Sequence, residues 1–325
     1  MPRPSAAVCI CGCNWIFKTQ NLKLEAVHLQ SDSMKRVLTA LVLIPLVLLA
    51  VFRAPDWLFT LLVGVVAVLA TIEYLQIAAK YGYKVYPVVT CGAVGILFVS
   101  EIVGRFSLLT SREAFYIALF FDLVFVPSLL LAAAMRRENL KEALPGVALS
   151  YLAVPYVGLA TLCLAYLRSM HVGWFFVLFT FFAVWVGDTA AYYVGRSIGK
   201  TKFAPRISPK KTWEGAIASV VGAMIVGVVF AWFAPRLTGT IHPVGSGAMM
   251  QPVWWVPAVI ALVINVAAQL GDLFESLIKR GADVKDSGTM LPGHGGILDR
   301  IDALLFAAPT ALAMFLILGD KFYCR

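Results

Sequence analysis

The chain has 325 residues, of which 60% are hydrophobic and only 14% are charged, and its mean hydropathy is +0.84. Soluble domains carry about 25% charged residues, so this composition excludes a soluble enzyme and indicates a protein that crosses a membrane several times. The formal net charge is +9. Basic loops at a membrane surface account for such a charge, and we therefore expect no nucleic-acid partner.

Residues 1–33 differ in composition from everything that follows. Their apolar run, residues 6–17, is too short to span a bilayer. At Met34 a start residue and two basic residues precede a long apolar stretch. We hypothesise that translation begins at Met34 and that residues 1–33 are an extension. The alternative is a short tail that is disordered or lies on the membrane surface.

The remaining sequence predicts an all-α, polytopic membrane bundle of about nine transmembrane helices. Its apolar segments are longer than barrel strands of about 10 residues and lack their alternation. We expect residues 34–170 to form a scaffold with a lipid groove, and residues 171–325 a catalytic domain with cytoplasmic loops at 195–212 and 272–302. The nine segments lie at about 37–52, 57–79, 85–103, 114–135, 147–166, 172–194, 213–233, 252–271 and 303–318.

The basic residues divide unevenly between the two sides of this nine-helix arrangement. Seventeen Lys and Arg residues fall on the side of Met34, and seven fall on the other. Cytoplasmic loops are the ones enriched in Lys and Arg. We therefore predict that Met34 and both densely charged loops face the cytoplasm, in the cytoplasmic membrane.

Two features of the sixth segment and the loop after it suggest a polar site. Asp188 lies within an apolar helix, where a carboxylate costs about 2.5–3.5 kcal/mol, so we expect it to face a polar cavity or to bond a neighbouring helix. We predict a turn at Ser208 and Pro209. Lys210 and Lys211 then precede Thr212, which is a plausible N-cap, and Glu214 follows in the first helical turn. Paired lysines at a helix N-terminus suit a polyphosphate, although they also suit a topology signal or an anionic lipid.

Residues 271–302 are the most charged stretch between apolar segments. At helical spacing Asp272, Glu275, Ser276 and Lys279 share one face. Asp299 and Asp302 share a face at the start of the ninth helix, and a glycine-rich loop between them can bring the two helix ends together.

The carboxylates of Asp272, Asp299 and Asp302 describe a hard oxygen site, which favours Mg²⁺ over structural zinc. Cations surround this predicted site, and the combination suits phosphoryl or nucleotidyl transfer. The alternative is a solvated charged loop. The predicted phosphate-binding residues are Lys210, Lys211, Lys279, Arg280 and Arg300, with Lys285 beside them.

The run from Ser276 to Asp302 resembles the signature of the phosphatidate cytidylyltransferases, also called CDP-diacylglycerol synthases. Residues 188–196 and 208–215 are similar to a second block of that family. The resemblance implies that CTP and phosphatidate give CDP-diacylglycerol and pyrophosphate, that Mg²⁺ is required, with a second cation left open, and that the protein is a homodimer. His294 would hydrogen-bond or protonate a phosphate. The catalytic residues it implies are Asp272, Ser276, Lys279, Arg280, Lys285, Asp286, His294, Asp299, Arg300 and Asp302.

Three other functions share some of these features. A CTP-dependent polyprenol kinase would use the same membrane and nucleotide but attack a different phosphorus. A CDP-alcohol phosphatidyltransferase would need a DGxxAR run, which is absent from the sequence. A transporter would explain Asp188 and nine helices, but not a cation-rich loop gathered on one face.

Overall fold

The computed structural model describes residues 41, 43–106, 111–136, 140–238, 255–290 and 295–323. Within these residues nine helical segments follow one another, and each overlaps one of the nine predicted segments. The predicted loop 272–302 is too long, because residues 272–281 and 298–302 are helical. The hypothesis about residues 1–33 and the predicted role of His294 lie outside the described residues. The helices are α1 (Leu43–Arg53), α2 (Asp56–Ala79), α3 (Pro87–Phe106), α4 (111–134), α5 (140–169), α6 (Gly173–Ser197), α7 (Trp213–Thr238), α8 (Trp255–Gly281) and α9 (Leu298–Tyr323).

Seven of the described helices are long and apolar enough to cross a membrane, and two shorter apolar helices accompany them, Leu43–Arg53 and Phe121–Ala134. This confirms the predicted all-α, polytopic membrane fold. Helices α4 and α5 each contain a π-helical turn, at Phe121–Phe125 and Val154–Leu159. The second turn contains Pro155, which has no N–H to donate and so favours a local break in the helical hydrogen bonds.

A small β-hairpin connects α6 to α7. Strand β1 (Lys202–Ala204) pairs antiparallel with β2 (Ser208–Thr212), with Lys202 opposite Thr212. The sequence suggests a turn at Ser208 and Pro209, and this is wrong, because both residues lie in β2 and the turn occupies residues 205–207. A two-stranded sheet has only edge strands, and these tolerate a proline.

The predicted N-cap of α7 is confirmed. The hydroxyl oxygen of Thr212 accepts a hydrogen bond from the backbone N–H of Gly215 at 3.2 Å. The carboxylate of Glu214 accepts a hydrogen bond from the backbone N–H of Thr201 at 3.1 Å. These two contacts fix the hairpin against the start of α7.

Three connections meet at one end of the bundle: residues 80–86, the hairpin, and the described residues between α8 and α9, which are 282–290 and 295–297. The Tyr81 hydroxyl donates to the Ile278 carbonyl at 2.8 Å, and Arg280 reaches the Ile207 carbonyl at 3.4 Å. Burial raises the pKa of the Tyr81 phenol further above its ordinary value.

Charged residues of other connections meet at the opposite end. Arg168, at the end of α5, donates to the Val51 and Ala54 carbonyls and to the Asp56 carboxylate. Arg105 lies 3.5 Å from Asp56. These contacts place the two groups of connections at opposite ends of the bundle, while their sides of the membrane stay a prediction.

Two apolar clusters form the core. One centres on aromatic residues of α6, α7 and α9, such as Phe179, whose ring lies 5.4 Å from that of Phe230 and 5.5 Å from that of Phe315. The other is built mainly by α2, α3 and α5 and also includes Leu298, the first residue of α9. The start of α9 is therefore embedded in the first half of the chain.

Candidate active site

A cavity of about 820 Å³ lies between α6, α7, α8, α9 and the hairpin. Among its lining residues are six that were predicted from the sequence as site residues: Asp188, Lys210, Lys211, Asp272, Asp299 and Asp302. The structure therefore brings together residues from four separate segments of the chain. The cavity lies at the end of the bundle where the hairpin and the connection between α8 and α9 meet.

One face of α6 forms a wall of this cavity. Asp188 is exposed to the cavity, and the residues three, four and seven positions further along the helix line it as well. These are Ala191, Tyr192 and Gly195, which share one face because of the helical period. Asp188 thus lines a cavity together with other charged residues, and its role there stays a prediction.

The hairpin brings two lysines to the same cavity. The ammonium group of Lys211 lies 2.7 Å from a carboxylate oxygen of Asp272, which belongs to α8. Lys210 is exposed and also lines the cavity. The paired lysines and the carboxylates of residues 271–302, which the sequence suggests separately, therefore line one cavity, and this ion pair joins them.

A close approach of α8 and α9 places Asp272 and Asp302 on one wall. A Cβ atom at Gly271 would lie only 2.7 Å from the Asp302 carbonyl oxygen and 3.2 Å from Phe306 Cβ. Any larger residue would push the two helices apart. Gly271 thus sets the separation between the two helices that carry Asp272 and Asp302.

The carboxylate of Asp299 accepts hydrogen bonds from three groups. Its Oδ1 lies 2.6 Å from the ammonium group of Lys279, and its Oδ2 accepts the backbone N–H groups of Ser287 and Gly296, both at 2.9 Å. Lys279 also pairs with the carboxylate of Glu275, which is 1% exposed. Lys279 therefore orients Asp299 and the loop, and it is not among the residues that line the cavity.

The other predicted residues in the described part of the chain are not among those that line the cavity. The Ser276 hydroxyl lies 3.5 Å from an Asp272 carboxylate oxygen. The Arg280 guanidinium is near the carbonyl oxygens of Ile207 and Val284, at 3.4 Å each. Exposed residues complete this set: Lys285, Asp286 and Arg300.

The carboxylates of the cavity wall are the candidate ligands for Mg²⁺. In the described part of the chain no group of three or more His, Cys, Asp or Glu side chains is placed to hold a metal ion. Asp299 already accepts hydrogen bonds at both of its oxygens. Asp188, Asp272 and Asp302 line the cavity together and offer the hard oxygen donors that Mg²⁺ prefers, so the donor chemistry fits.

Sequence reasoning missed several lining residues. The α6 and hairpin residues could have been found by extending the helical face of Asp188 and by treating the loop as part of the site. For Ser219 in α7 and Gln269 in α8, the only sequence signal was a polar residue within an apolar helix. The missed residues are Tyr192, Arg196, Lys202, Phe203, Ser219 and Gln269.

A buried hydrogen-bond network lies beside the cavity, between α6, α7 and α8. Asn265, which is 0% exposed, accepts hydrogen bonds from the Ser219 hydroxyl at 3.0 Å and from the Gln269 amide at 2.9 Å. Its own amide donates to the Ala183 carbonyl at 3.2 Å. Because Ser219 and Gln269 line the cavity, this network fixes part of its wall.

Comparison with known proteins places this arrangement in a family. A model of the cytidylyltransferase family matches residues 34–318. A Haemophilus influenzae protein named phosphatidate cytidylyltransferase is 33% identical over 287 residues, covering 85% of this chain and 96% of that protein.

Two further relatives of the same name match shorter stretches. The Brucella suis protein is 42% identical over 154 residues, covering 47% of this chain and 52% of that protein. The Synechocystis protein is 39% identical over 146 residues, covering 45% of this chain and 44% of that protein. The chain thus matches about half the length of these two relatives.

Proposed function

The chain belongs to the cytidylyltransferase family, and from this premise we propose that it condenses CTP with phosphatidate to give CDP-diacylglycerol and pyrophosphate. The observation that carries the proposal is the cavity of about 820 Å³, lined by four carboxylates and several cations at one end of a membrane bundle. A water-soluble nucleotide and a lipid headgroup can both reach such a position. The four carboxylates are Asp188, Asp272, Asp299 and Asp302.

The reaction needs the approach of two polyanions more than it needs a strong base. A non-bridging oxygen of the phosphatidate phosphate forms a bond to the α-phosphorus of CTP. The bond from that phosphorus to the oxygen bridging the α- and β-phosphates breaks, and pyrophosphate leaves with the electron pair. The phosphate monoester is already an anionic nucleophile, so the protein chiefly positions groups and offsets charge.

The hairpin supplies that positive charge. Lys210 and Lys211 line the cavity, and Lys211 is held there by Asp272. Arg196 and Lys202 line the same cavity from the end of α6 and from β1. Charges in a partly dehydrated cavity interact more strongly than in bulk water, so these cations favour the binding of triphosphate.

Asp272 and Asp302 are the residues that would hold Mg²⁺, with Asp188 on the adjacent wall. The sequence prediction also includes Asp299, whose oxygens engage Lys279 and the loop backbone. Bound Mg²⁺ would offset charge on the phosphates and orient them. His294 stays a proposed phosphate contact on the strength of the resemblance.

The orientation and the assembly are proposed on separate grounds. The excess of Lys and Arg supports a cavity that opens to the cytoplasm from the cytoplasmic membrane. A cysteine introduced at Lys285 tests this orientation. A reagent that does not cross the membrane should label it in inverted vesicles and not in intact cells. The family resemblance supports a homodimer, and light scattering in detergent tests it against the chain mass of 35.4 kDa.

The products distinguish the proposed reaction from that of a lipid kinase. Purified protein in detergent is given CTP, phosphatidate and Mg²⁺, and the soluble products are separated. We expect equal amounts of pyrophosphate and CDP-diacylglycerol, with no CDP. Release of CDP together with a phosphorylated lipid would contradict the proposal.

A further inference from the structure

A buried carboxylate from the first half of the chain contacts the loop between α8 and α9, whose backbone N–H groups bond the Asp299 carboxylate. Glu73 lies near the end of α2 and is 1% exposed. Its Oε2 accepts a hydrogen bond from the backbone N–H of Leu298 at 2.8 Å and one from the Ser287 hydroxyl at 3.1 Å. More than 200 residues of sequence separate Glu73 from both partners.

The bond to Leu298 meets a need of the helix start. The first N–H groups of any helix have no partner within the helix, and Leu298 is 0% exposed, so water cannot reach its backbone readily. A negative carboxylate at this end is also favoured by the helix dipole. Glu73 therefore acts as a cap for α9 supplied by another helix.

The bond to Ser287 extends this cap to Asp299. The Ser287 hydroxyl oxygen accepts the Asp299 backbone N–H at 3.3 Å, while the Ser287 backbone N–H donates to the Asp299 carboxylate at 2.9 Å. Glu73, Ser287 and Asp299 thus form a continuous chain of hydrogen bonds. Its last member lines the cavity.

The Glu73 carboxylate also explains why two positions in the loop between α8 and α9 are occupied by glycine. A Cβ atom at Gly288 would overlap Glu73 Oε1, and one at Gly296 would overlap Glu73 Oε2 and the Ser287 hydroxyl. Within the described residues, Oε1 has no hydrogen-bond partner and lies against the Gly288 backbone. The loop is therefore closely fitted around the Glu73 side chain.

We propose that Glu73 is a positioning residue of the active site, which fixes the start of α9 and thereby the placement of Asp299 and Asp302. Its catalytic consequence rests on the proposed function. Among the described residues, Glu73 hydrogen-bonds to Leu298 and Ser287, neither of which lines the cavity, and it acts through them. The scaffold half of the chain thus contributes to the geometry of the reaction.

The test compares Glu73→Ala and Glu73→Gln with the wild-type protein. Displacement of a reacting group by about 1 Å can lower a rate about 100-fold, so we expect Glu73→Ala to lower kcat by about that factor, with KM for CTP within about 3-fold. The Gln side chain keeps an oxygen that can accept both hydrogen bonds, and it should restore at least a tenth of the wild-type kcat, that is, a loss of about 10-fold or less.

A matched control is Glu101→Ala, which removes another buried carboxylate, one paired with Arg105 near the opposite membrane end. This variant should lower thermal stability but keep kcat per folded molecule. Hydrogen exchange of the Leu298 and Asp299 amides gives a readout that needs no activity. We expect faster exchange in Glu73→Ala and wild-type exchange in Glu101→Ala.

The two readouts separate the possible failures. If folded Glu73→Ala keeps the wild-type kcat and the wild-type exchange rates of the Leu298 and Asp299 amides, the inference is overturned. This holds even if the melting temperature of the variant is lowered. If the wild-type protein makes no CDP-diacylglycerol but Glu73→Ala exchanges faster at both amides, the proposed function fails while the positioning of α9 stands.

Discussion

Lys211 Nζ lies 2.7 Å from Asp272 Oδ2, and this contact joins the hairpin after α6 to the membrane helix α8. Both side chains are partly open to solvent, at 26% and 38% exposure. Exposed ion pairs contribute about 0.2–1 kcal/mol to stability, so this pair does little to hold the fold. Its consequence is positional, because it places an ammonium group at the cavity wall.

Substitution of Lys211 by Ala should therefore impair binding more than folding. Hydrogen bonds to charged groups contribute about 1.5–3 kcal/mol, which corresponds to a rise of about 10- to 100-fold in KM for CTP. The apparent melting temperature should stay close to that of the wild type. Steady-state kinetics at varied CTP measures the effect, and Lys200→Ala, a nearby exposed lysine outside the cavity lining, is the control. Equal KM values in the two variants would leave Lys211 only a role in topology.

Substitution of Asp302 by Asn should abolish most of the activity. The change keeps the shape of the side chain and removes a negative oxygen donor from the cavity. We expect kcat to fall about 100-fold or more, and the Mg²⁺ concentration for half-maximal rate to rise. Asp283→Asn, at an exposed position with φ of 55°, is the matched control and should keep full activity. An unchanged Mg²⁺ dependence in Asp302→Asn would argue against this residue as a metal ligand.

Asp299→Asn should act mainly through the loop. The amide nitrogen of Asn cannot accept a hydrogen bond, so the bonds to Ser287 N–H, Gly296 N–H and the Lys279 ammonium cannot all be kept. A lost bond of this kind costs about 1–3 kcal/mol, and the apparent melting temperature should fall along with the rate. Thermal unfolding and a Mg²⁺ titration check this. Full recovery at high Mg²⁺ with unchanged stability would instead indicate direct metal binding.

Gly295→Ala should destabilise the loop. Gly295 has φ of +80°, and a Cβ atom there would lie 2.8 Å from Asp299 Oδ2. We expect the free energy of unfolding to fall by about 1–3 kcal/mol, because a positive φ is unfavourable for a residue that has a Cβ atom. Gly92→Ala, in a helix with open space around the position, should be neutral or slightly stabilising. Melting temperatures of the two variants in the same detergent provide the comparison.

The sequence predicted the helices well because their signal is local. A run of apolar residues long enough for a bilayer specifies a helix without reference to the rest of the chain. The cap at Thr212 is equally local, since residue type and spacing define it. The expectation of a polar surrounding for Asp188 is also local, since it rests on the energetic cost of a carboxylate in an apolar helix.

Long-range partners could not be predicted in the same way. Glu73, Glu101 and Asp122 are all buried acidic residues of apolar helices, and nothing in their local sequence tells which one meets the motif loop. The ion pair between Lys279 and Asp299 likewise depends on how α8 and α9 pack. The turn expected at Ser208 and Pro209 failed because pairing with β1 outweighed the turn preference of proline.

The central claim is that the α-phosphate of CTP is transferred to a lipid in the cavity lined by Asp272 and Asp302. The most direct test supplies purified protein with phosphatidate, Mg²⁺ and CTP labelled at the α-phosphorus, followed by extraction of the lipids. We predict that label enters the organic phase, and that EDTA or Asp302→Asn prevents this. Label that remains in water while γ-labelled CTP marks the lipid would contradict the claim and indicate a kinase.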